Sequence, residues 1–271
     1  MNALHTFVAD TRGPFFFASL LLFGLLEIRF GRRMRVDTAL RHDAENLLLA
    51  ALNVALFAAP LSGFVTAYTD ALHAHGVGLL NQVDMPLLLH TILLVVCFDG
   101  IIYTLHRAYH RIPFLWRFHR VHHTERDLNV TSASRFHPGE ILLSTLFRWG
   151  IMIPLIGPTG AALLTFDLIY IFMGQFQHSN LRLPPAVESV VRLLFITPDM
   201  HHAHHSEASD EMNTNFAVIF SFWDRSFGTY RVEPREGMVI GLAAYRDRKD
   251  RTLPALLLMR TRVAPFPGKA G

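Results

Sequence analysis

Trp116 to Thr124 reads Trp-Arg-Phe-His-Arg-Val-His-His-Thr, an H-x-x-H-H cluster at His119, His122 and His123. The same spacing returns about eighty residues later at His201, His204 and His205. His106 and His110 form an H-x-x-x-H just ahead of the first cluster, and His178 precedes the second. On a helix, residues three and four apart share a face, so each cluster points two or three imidazoles in one direction. Neutral imidazole suits iron, zinc, copper and nickel. Nine such histidines exceed what one ion takes and suit two ions held side by side. Neutral ligands leave the charge of the ions uncancelled. Carboxylates that also orient the imidazoles through their second N–H are therefore expected nearby. Asp99 lies two turns before His106 on the same face, at the end of an apolar run where an ionisable group is costly and usually functional.

The other histidines carry less. His5, His42, His73, His75 and His90 read as polar anchors, and His202 projects off the ligand face of its helix. His137 either orients a substrate or steadies a loop. Cys97 is the only cysteine, which excludes an intrachain disulfide and a thiolate-built zinc or iron–sulfur site.

The elements that must position these groups are apolar. Of 271 residues 51% are hydrophobic, more than a soluble domain of this length usually carries. Pro14 to Phe30, Ala44 to Thr66 and Pro86 to Leu105 are apolar runs. The first spans roughly 25 Å as a helix, near the lower limit for crossing a bilayer. Ile141 to Phe176 is too long for one span. Pro154, Gly157, Pro158 and Gly160 interrupt it, which predicts two helices joined by a tight turn. The arms are short enough that the hairpin either crosses or dips part-way.

Arginines crowd 29–41 and 106–135, whereas 68–85 has no Lys or Arg. The positive-inside rule puts the arginine-rich segments, and with them every histidine cluster, in the cytoplasm. This topology accounts for the basic clusters, so nucleic-acid binding is not inferred. Met1 to Arg12 lacks the basic start and small-residue cleavage site of a signal peptide. Val187 to Ile196 has the amphipathic look of a segment lying on the membrane surface. Residues 246–251 read as a solvated charge run and Val263 to Gly271 as a frayed tail. The expected fold is all-α: an integral membrane bundle of four to five embedded helices with a cytoplasmic helical cap. Within this single domain, 1–94 supplies the N-terminal spans, 95–230 the catalytic core and 231–271 a C-terminal tail.

The ordered motifs carry a resemblance. They are Asp99-x3-Tyr103-x2-His106-Arg-x2-His110, His119-x2-His122-His123-Thr, Arg135-x-His137-Pro-x-Glu140 and Gln177-His178-Ser-Asn180. Thr197-Pro-x-Met-His201-x2-His204-His205-Ser206, Asn213-x-Asn215-Phe and Trp223-Asp-Arg-x-Phe-Gly-Thr-Tyr230 complete the series. From about residue 95 to 230 the chain resembles the sterol desaturase / fatty acid hydroxylase superfamily of membrane non-haem di-iron oxidases. The resemblance implies that His106, His110, His119, His122, His123, His178, His201, His204 and His205 bind two Fe ions. It implies O2 as co-substrate and oxidation of an unactivated C–H bond of a lipid to an alcohol or an alkene. Asp99 and Asn180 become supporting residues of the site. Trp223, Asp224, Arg225 and Gly228 would fold the cap. Some members carry a further histidine four residues before the position of His178. Here that position is Gly174, which implies one protein ligand fewer for one iron. The expected location is a bacterial inner membrane, with the metal site facing the cytoplasm.

Two other classes compete. A membrane zinc hydrolase would want a glutamate base beside its ligands, as in H-E-x-x-H; Glu125 and Glu207 fall outside the helical ligand pattern. A metal transporter would place ligands at mid-membrane, whereas these gather at one face. With no haem, flavin or ferredoxin motif, electrons must come from a separate donor, ferredoxin or cytochrome b5-like. The arginine-rich surface, including Arg117 and Arg120, is the expected dock for it.

Overall fold

A computed structural model describes residues 3–32, 39–232 and 234–258, with backbone alone for 3–10, 39 and 62. Arg33, Arg35 and the expected frayed end at 263–271 lie outside the described residues, as does the side chain of His5. Among the described residues every extended element is helical. Strand-like pairing is confined to three isolated bridges, Gly31 with Leu181, Phe195 with Phe220 and Ser206 with Ile240.

α1 is Ala3–Phe30. α2 is Ala39–Asn53, and a π-turn at Val54–Ala58 carries it on to Leu61. α3 is Val65–Ala74 and α4 is Leu87–Arg111. Pro113 then opens α5, Pro113–His123, where a proline in the first turn sacrifices no helical hydrogen bond. α6, Pro138–Phe147, continues through a π-turn at Arg148–Met152 to Ile156. α7 is Gly160–His178. The shorter α8, α9 and α10 are Pro185–Val191, Pro198–His204 and Phe222–Ser226.

Four segments are long and apolar enough to cross a membrane: Thr11–Phe30, Leu40–Leu61, Leu87–Arg111 and Pro138–Ile156. α7 packs among them against α1 and α4. Their outward faces are apolar. On α1, Phe17, Leu21, Leu25 and Ile28 are exposed, the last at 84%. On α4, Leu87, Leu88, Leu89 and Ile92 are exposed. An apolar surface of this extent suits lipid rather than water. Inside, Leu94, Phe98, Ile153, Leu163 and Phe166 pack α4, α6 and α7 together, with Phe98 edge-on to Phe166 at 5.1 Å.

The α6–α7 hairpin runs the length of the bundle. Gly157 turns it in the left-handed region, at φ +75°, which is cheap only for glycine. Its tip meets the loop before α4 so closely that a Cβ on Gly78 would lie 2.4 Å from the Gly157 Cα. The Thr159 N–H reaches the His90 Nε2 at 3.3 Å. His90 is thus an anchor near the start of α4, and His106 is ~24 Å further along that helix. The hairpin tip and the histidine clusters therefore occupy opposite ends of the bundle.

α8 is amphipathic in an inverted sense. Glu188 points inward, buried, and accepts from Thr197 Oγ1 at 2.6 Å and from Arg192 at 3.0 Å. Val187, Val190, Leu193 and Leu194 point outward. Residues 234–258 fold back onto the bundle. Leu242, Tyr245 and Leu256 bury against Leu49, Trp116, Val121 and Met212. Within the expected charge run Arg251 is buried, so that run is only partly solvated.

Candidate metal centre

The end of α4 presents His106 and His110, and the last turns of α5 present His119, His122 and His123. α7 ends on His178, and α9 with the residue after it supplies His201, His204 and His205. α9 is short, yet its start is fixed by Pro198 in the first turn and by Thr197, whose hydroxyl accepts the Met200 N–H. The nine residues form two groups. One nitrogen each from His106, His110, His119, His123 and His204 lie within 4.8 Å of one another, as do those from His122, His178, His201 and His205. The groups share a border: the His123 and His205 rings stack at 4.5 Å, and those of His122 and His205 lie 4.6 Å apart.

Hydrogen bonds fix the tautomers of five of the nine. His106 Nδ1 lies 2.7 Å from the Phe216 carbonyl, His204 Nδ1 2.8 Å from that of Thr214, and His119 Nδ1 2.7 Å from the Glu140 carboxylate. In the second group, His178 Nδ1 lies 2.6 Å from the Gly174 carbonyl and His122 Nδ1 3.3 Å from that of Arg135. These oxygens only accept, so each Nδ1 donates and each Nε2 carries a bare lone pair. Yet His106 Nε2 stands 3.1 Å from His119 Nε2, and His178 Nε2 stands 3.0 Å from His122 Nε2. Two lone pairs at that distance repel unless a cation lies between them. A proton is a poor candidate, because burial pushes His122, His123, His201 and His205 well below their usual range, helped by neighbouring imidazoles. Burial, joined by His119, takes His204 down to about 3. The Nε2 atoms of His110, His123 and His204 are buried without a hydrogen-bond partner. Two nitrogens ~2.1 Å from one ion at a right angle are ~3.0 Å apart. The donor set therefore fits two metal ions.

The supporting carboxylates are not those the sequence suggested. Asp99 sits on the expected face of α4, but its carboxylate accepts the backbone N–H groups of Ile219 and Phe220 at 3.0 and 2.9 Å. Asp224 does the same for Phe216 and Ala217, at 2.8 and 3.0 Å. Together they clamp the segment whose Phe216 carbonyl orients His106. Trp223 closes over Gly100, where a Cβ would come within 2.6 Å of the indole. Asn180 ties the end of α7 to α1, donating its backbone N–H to Glu27 at 2.8 Å. Among the described residues Glu140 is the carboxylate that bonds to one of the nine clustered imidazoles, His119. The sequence had shown it only as one letter of the motif after Arg135.

Other side chains find structural uses. His202 Nε2 lies 3.1 Å from the Ser179 carbonyl, tying α9 to the end of α7. His137 caps α6, its Nδ1 accepting from Gly139. His42 pairs with Glu125 at 2.7 Å and Asn46 joins them, binding α2 to the turn after α5. That pairing spans eighty-three positions and leaves no local signal. Arg135 supports α5 by donating to the Val121 carbonyl and the Thr124 hydroxyl. Arg120, expected on a docking surface, is buried with its guanidinium over Tyr245, so it cannot face a partner. The Gly241 N–H donates to the His205 carbonyl at 2.9 Å, so the folded-back C-terminal segment touches the centre directly.

Comparison with known proteins follows the same residues. A stretch of an ornithine lipid hydroxylase of Rhizobium tropici is 32% identical over 153 residues, 55% of this chain and 44% of that protein. Mouse cholesterol 25-hydroxylase is 28% identical over 184 residues, covering 63% of this chain and 60% of its own length. Human alkylglycerol monooxygenase is 30% identical over 140 residues, 52% of this chain and 30% of its own. The chain thus spans less than two thirds of the length of each. No solved structure gives a significant match. The family model described as fatty acid hydroxylase matches residues 91–229, the stretch that holds all nine histidines, Glu140 and the Asp224 clamp, and the chain belongs to that family.

Proposed function

We propose that this protein is a membrane-bound oxidoreductase that hydroxylates, or desaturates, an unactivated C–H bond of a lipid at a di-iron centre. The observation that carries this reading is the pair of buried imidazole nests, in which His106, His119, His122, His178 and His204 have Nδ1 engaged and Nε2 turned inward. His106, His110, His119, His123 and His204 would hold one iron, and His122, His178, His201 and His205 the other. Iron bound there supplies the means to activate O2 with two external electrons. Relatives named as hydroxylases and a monooxygenase of lipids support that choice of chemistry.

The chain's own contribution is placement and exclusion. Backbone carbonyls and Glu140 hold His106, His119, His122, His178 and His204 in one tautomer before any ion arrives, which lowers the reorganisation that binding demands. Asp99 and Asp224 act through the backbone of residues 216–220 as positioning residues. Asn180 acts at one remove, by fixing the end of α7 against α1. The 238–258 segment packs on Leu49 of α2 and on Trp116 and Val121 of α5, a cover that would keep water from the oxidation. The lipid arrives from the membrane, and the centre faces the cytoplasm of a bacterial inner membrane by the arginine distribution of the loops. A separate ferredoxin or cytochrome b5-like donor supplies electrons on that side, meeting exposed arginines such as Arg111 rather than Arg120.

The test is metal analysis of detergent-purified protein beside the His122→Ala/His204→Ala double variant, followed by lipid-product screening with O2 and a reductant. Two irons per chain, lost in the variant, and an oxygenated or unsaturated lipid dependent on O2 are expected. Folded wild type with one metal or none would overturn the di-iron reading.

A further inference from the structure

Asp167 is an acid in the middle of α7, among otherwise apolar helices. Its carboxylate meets Arg12 of α1 at 2.6 Å and also Arg148, from the π-turn of α6. Two cations face one anion, and no other acid forms an ion pair with either arginine among the described residues. The cluster therefore carries one positive charge in excess, where isolated charge is expensive. Arg12 Nε is buried with no hydrogen-bond partner, and the two arginine side chains are partly open, at 26% and 30%.

The same stripe of α7 leads to the metal centre. Asp167, Tyr170, Gly174 and His178 follow at spacings of three, four and four, which stacks them along one face. The Tyr170 hydroxyl makes no hydrogen bond among the described residues, although its ring packs on Phe166. At Gly174 a Cβ would meet no atom within 4 Å, so the stripe is open immediately before His178.

We propose that this stripe is a lipid-binding groove. Arg12 and Arg148 hold the singly anionic end of a lipid, and its chain runs past Tyr170 and Gly174 toward His178. The fate of the chain rests on the oxidase reading above; the binding does not. Asp167 and His178 are eleven residues apart, ~16 Å along the helix. Oxidation is therefore directed to a carbon far from the charged end, not to one beside it. Guanidinium groups fit a carboxylate or a phosphate equally well, so either headgroup chemistry can occupy the arginine end.

Calorimetric titration of the full chain in detergent tests this, with palmitate, a lysophosphatidylglycerol and uncharged methyl palmitate as ligands. Metal content and thermal midpoint are followed in parallel. Wild type is expected to bind at least one anionic lipid about tenfold more tightly than methyl palmitate, the worth of a charge-assisted contact. Which anion wins assigns the headgroup. Arg148→Gln should erase the preference and leave methyl palmitate binding in place, and Arg12→Gln serves if that variant does not fold. Gly174→Leu should weaken all the lipids, and the parallel metal count shows whether its carbonyl still holds His178. Equal binding of charged and uncharged lipids by wild type, or a preference that survives in both folded arginine variants, would overturn the groove. A charge preference lost in the arginine variants, in a wild type that takes up no iron and yields no O2-dependent lipid product, would count against the oxidase reading alone.

Discussion

Replacing Glu140 by Gln separates the two halves of the centre. Glu140 and His119 are both buried, and their contact of 2.7 Å is a charge-assisted hydrogen bond. Glutamine keeps the size and an accepting oxygen but removes the charge. That costs roughly the difference between a charged and a neutral hydrogen bond, ~1–1.5 kcal/mol. It corresponds to about tenfold in affinity for the ion held by His106, His110, His119, His123 and His204, at the lower edge of what such outer partners usually contribute. None of the four histidines of the other group bonds to Glu140. Competition against a graded chelator, with metal counted per chain, should show one ion leaving about tenfold earlier and the other unmoved. The Tyr109 bond to the Glu140 carbonyl is retained, so the fold should hold. Equal loss of both ions, or no change in either, would refute the assignment of Glu140 to one group.

Further outcomes follow from the same packing. Gly157→Ala should lower the thermal midpoint by the equivalent of at least ~1–2 kcal/mol. The turn is left-handed and the new Cβ would meet Asn81 at 2.6 Å. Arg120→Glu should destabilise the protein through its buried contact with Tyr245, seen as a lower melting temperature, while Arg111→Glu should leave stability intact and slow reduction by an acidic donor. Metal-free protein should lose stability as pH falls below 6.5. Unfolded histidines take up protons there, whereas the folded ones, such as His204 at about 3, do not. The loss should grow down to about pH 3, and chemical denaturation across that range would measure it. Flat stability over that range would show that the nests are not as dry as their burial implies.

What could be read from the chain and what could not divides along the range of the interactions. Imidazoles three and four residues apart share a helix face whatever surrounds them, so the spacing alone marked the histidines as candidate metal ligands and led to the expectation of two ions. Long apolar runs announce spanning helices for the same local reason, and Gly157 with Pro158 marked the hairpin turn. Which histidine belongs to which nest was beyond that reasoning. His122 and His123 are adjacent in sequence yet fall in different groups, because neighbouring residues on a helix point about 100° apart and two partner helices, α7 and α4, receive them. The supporting carboxylate was likewise decided by tertiary packing. Asp99 stood at a plausible spacing, but the backbone of residues 219 and 220 claims it, and Glu140 reaches His119 only because α6 lies across α5. Arg120, one residue past a ligand, is turned inward by the returning C-terminal segment, which no pattern in its own neighbourhood foretold. Local periodicity determined what the side chains could do together; the crossing of helices distant in sequence decided which of them meet.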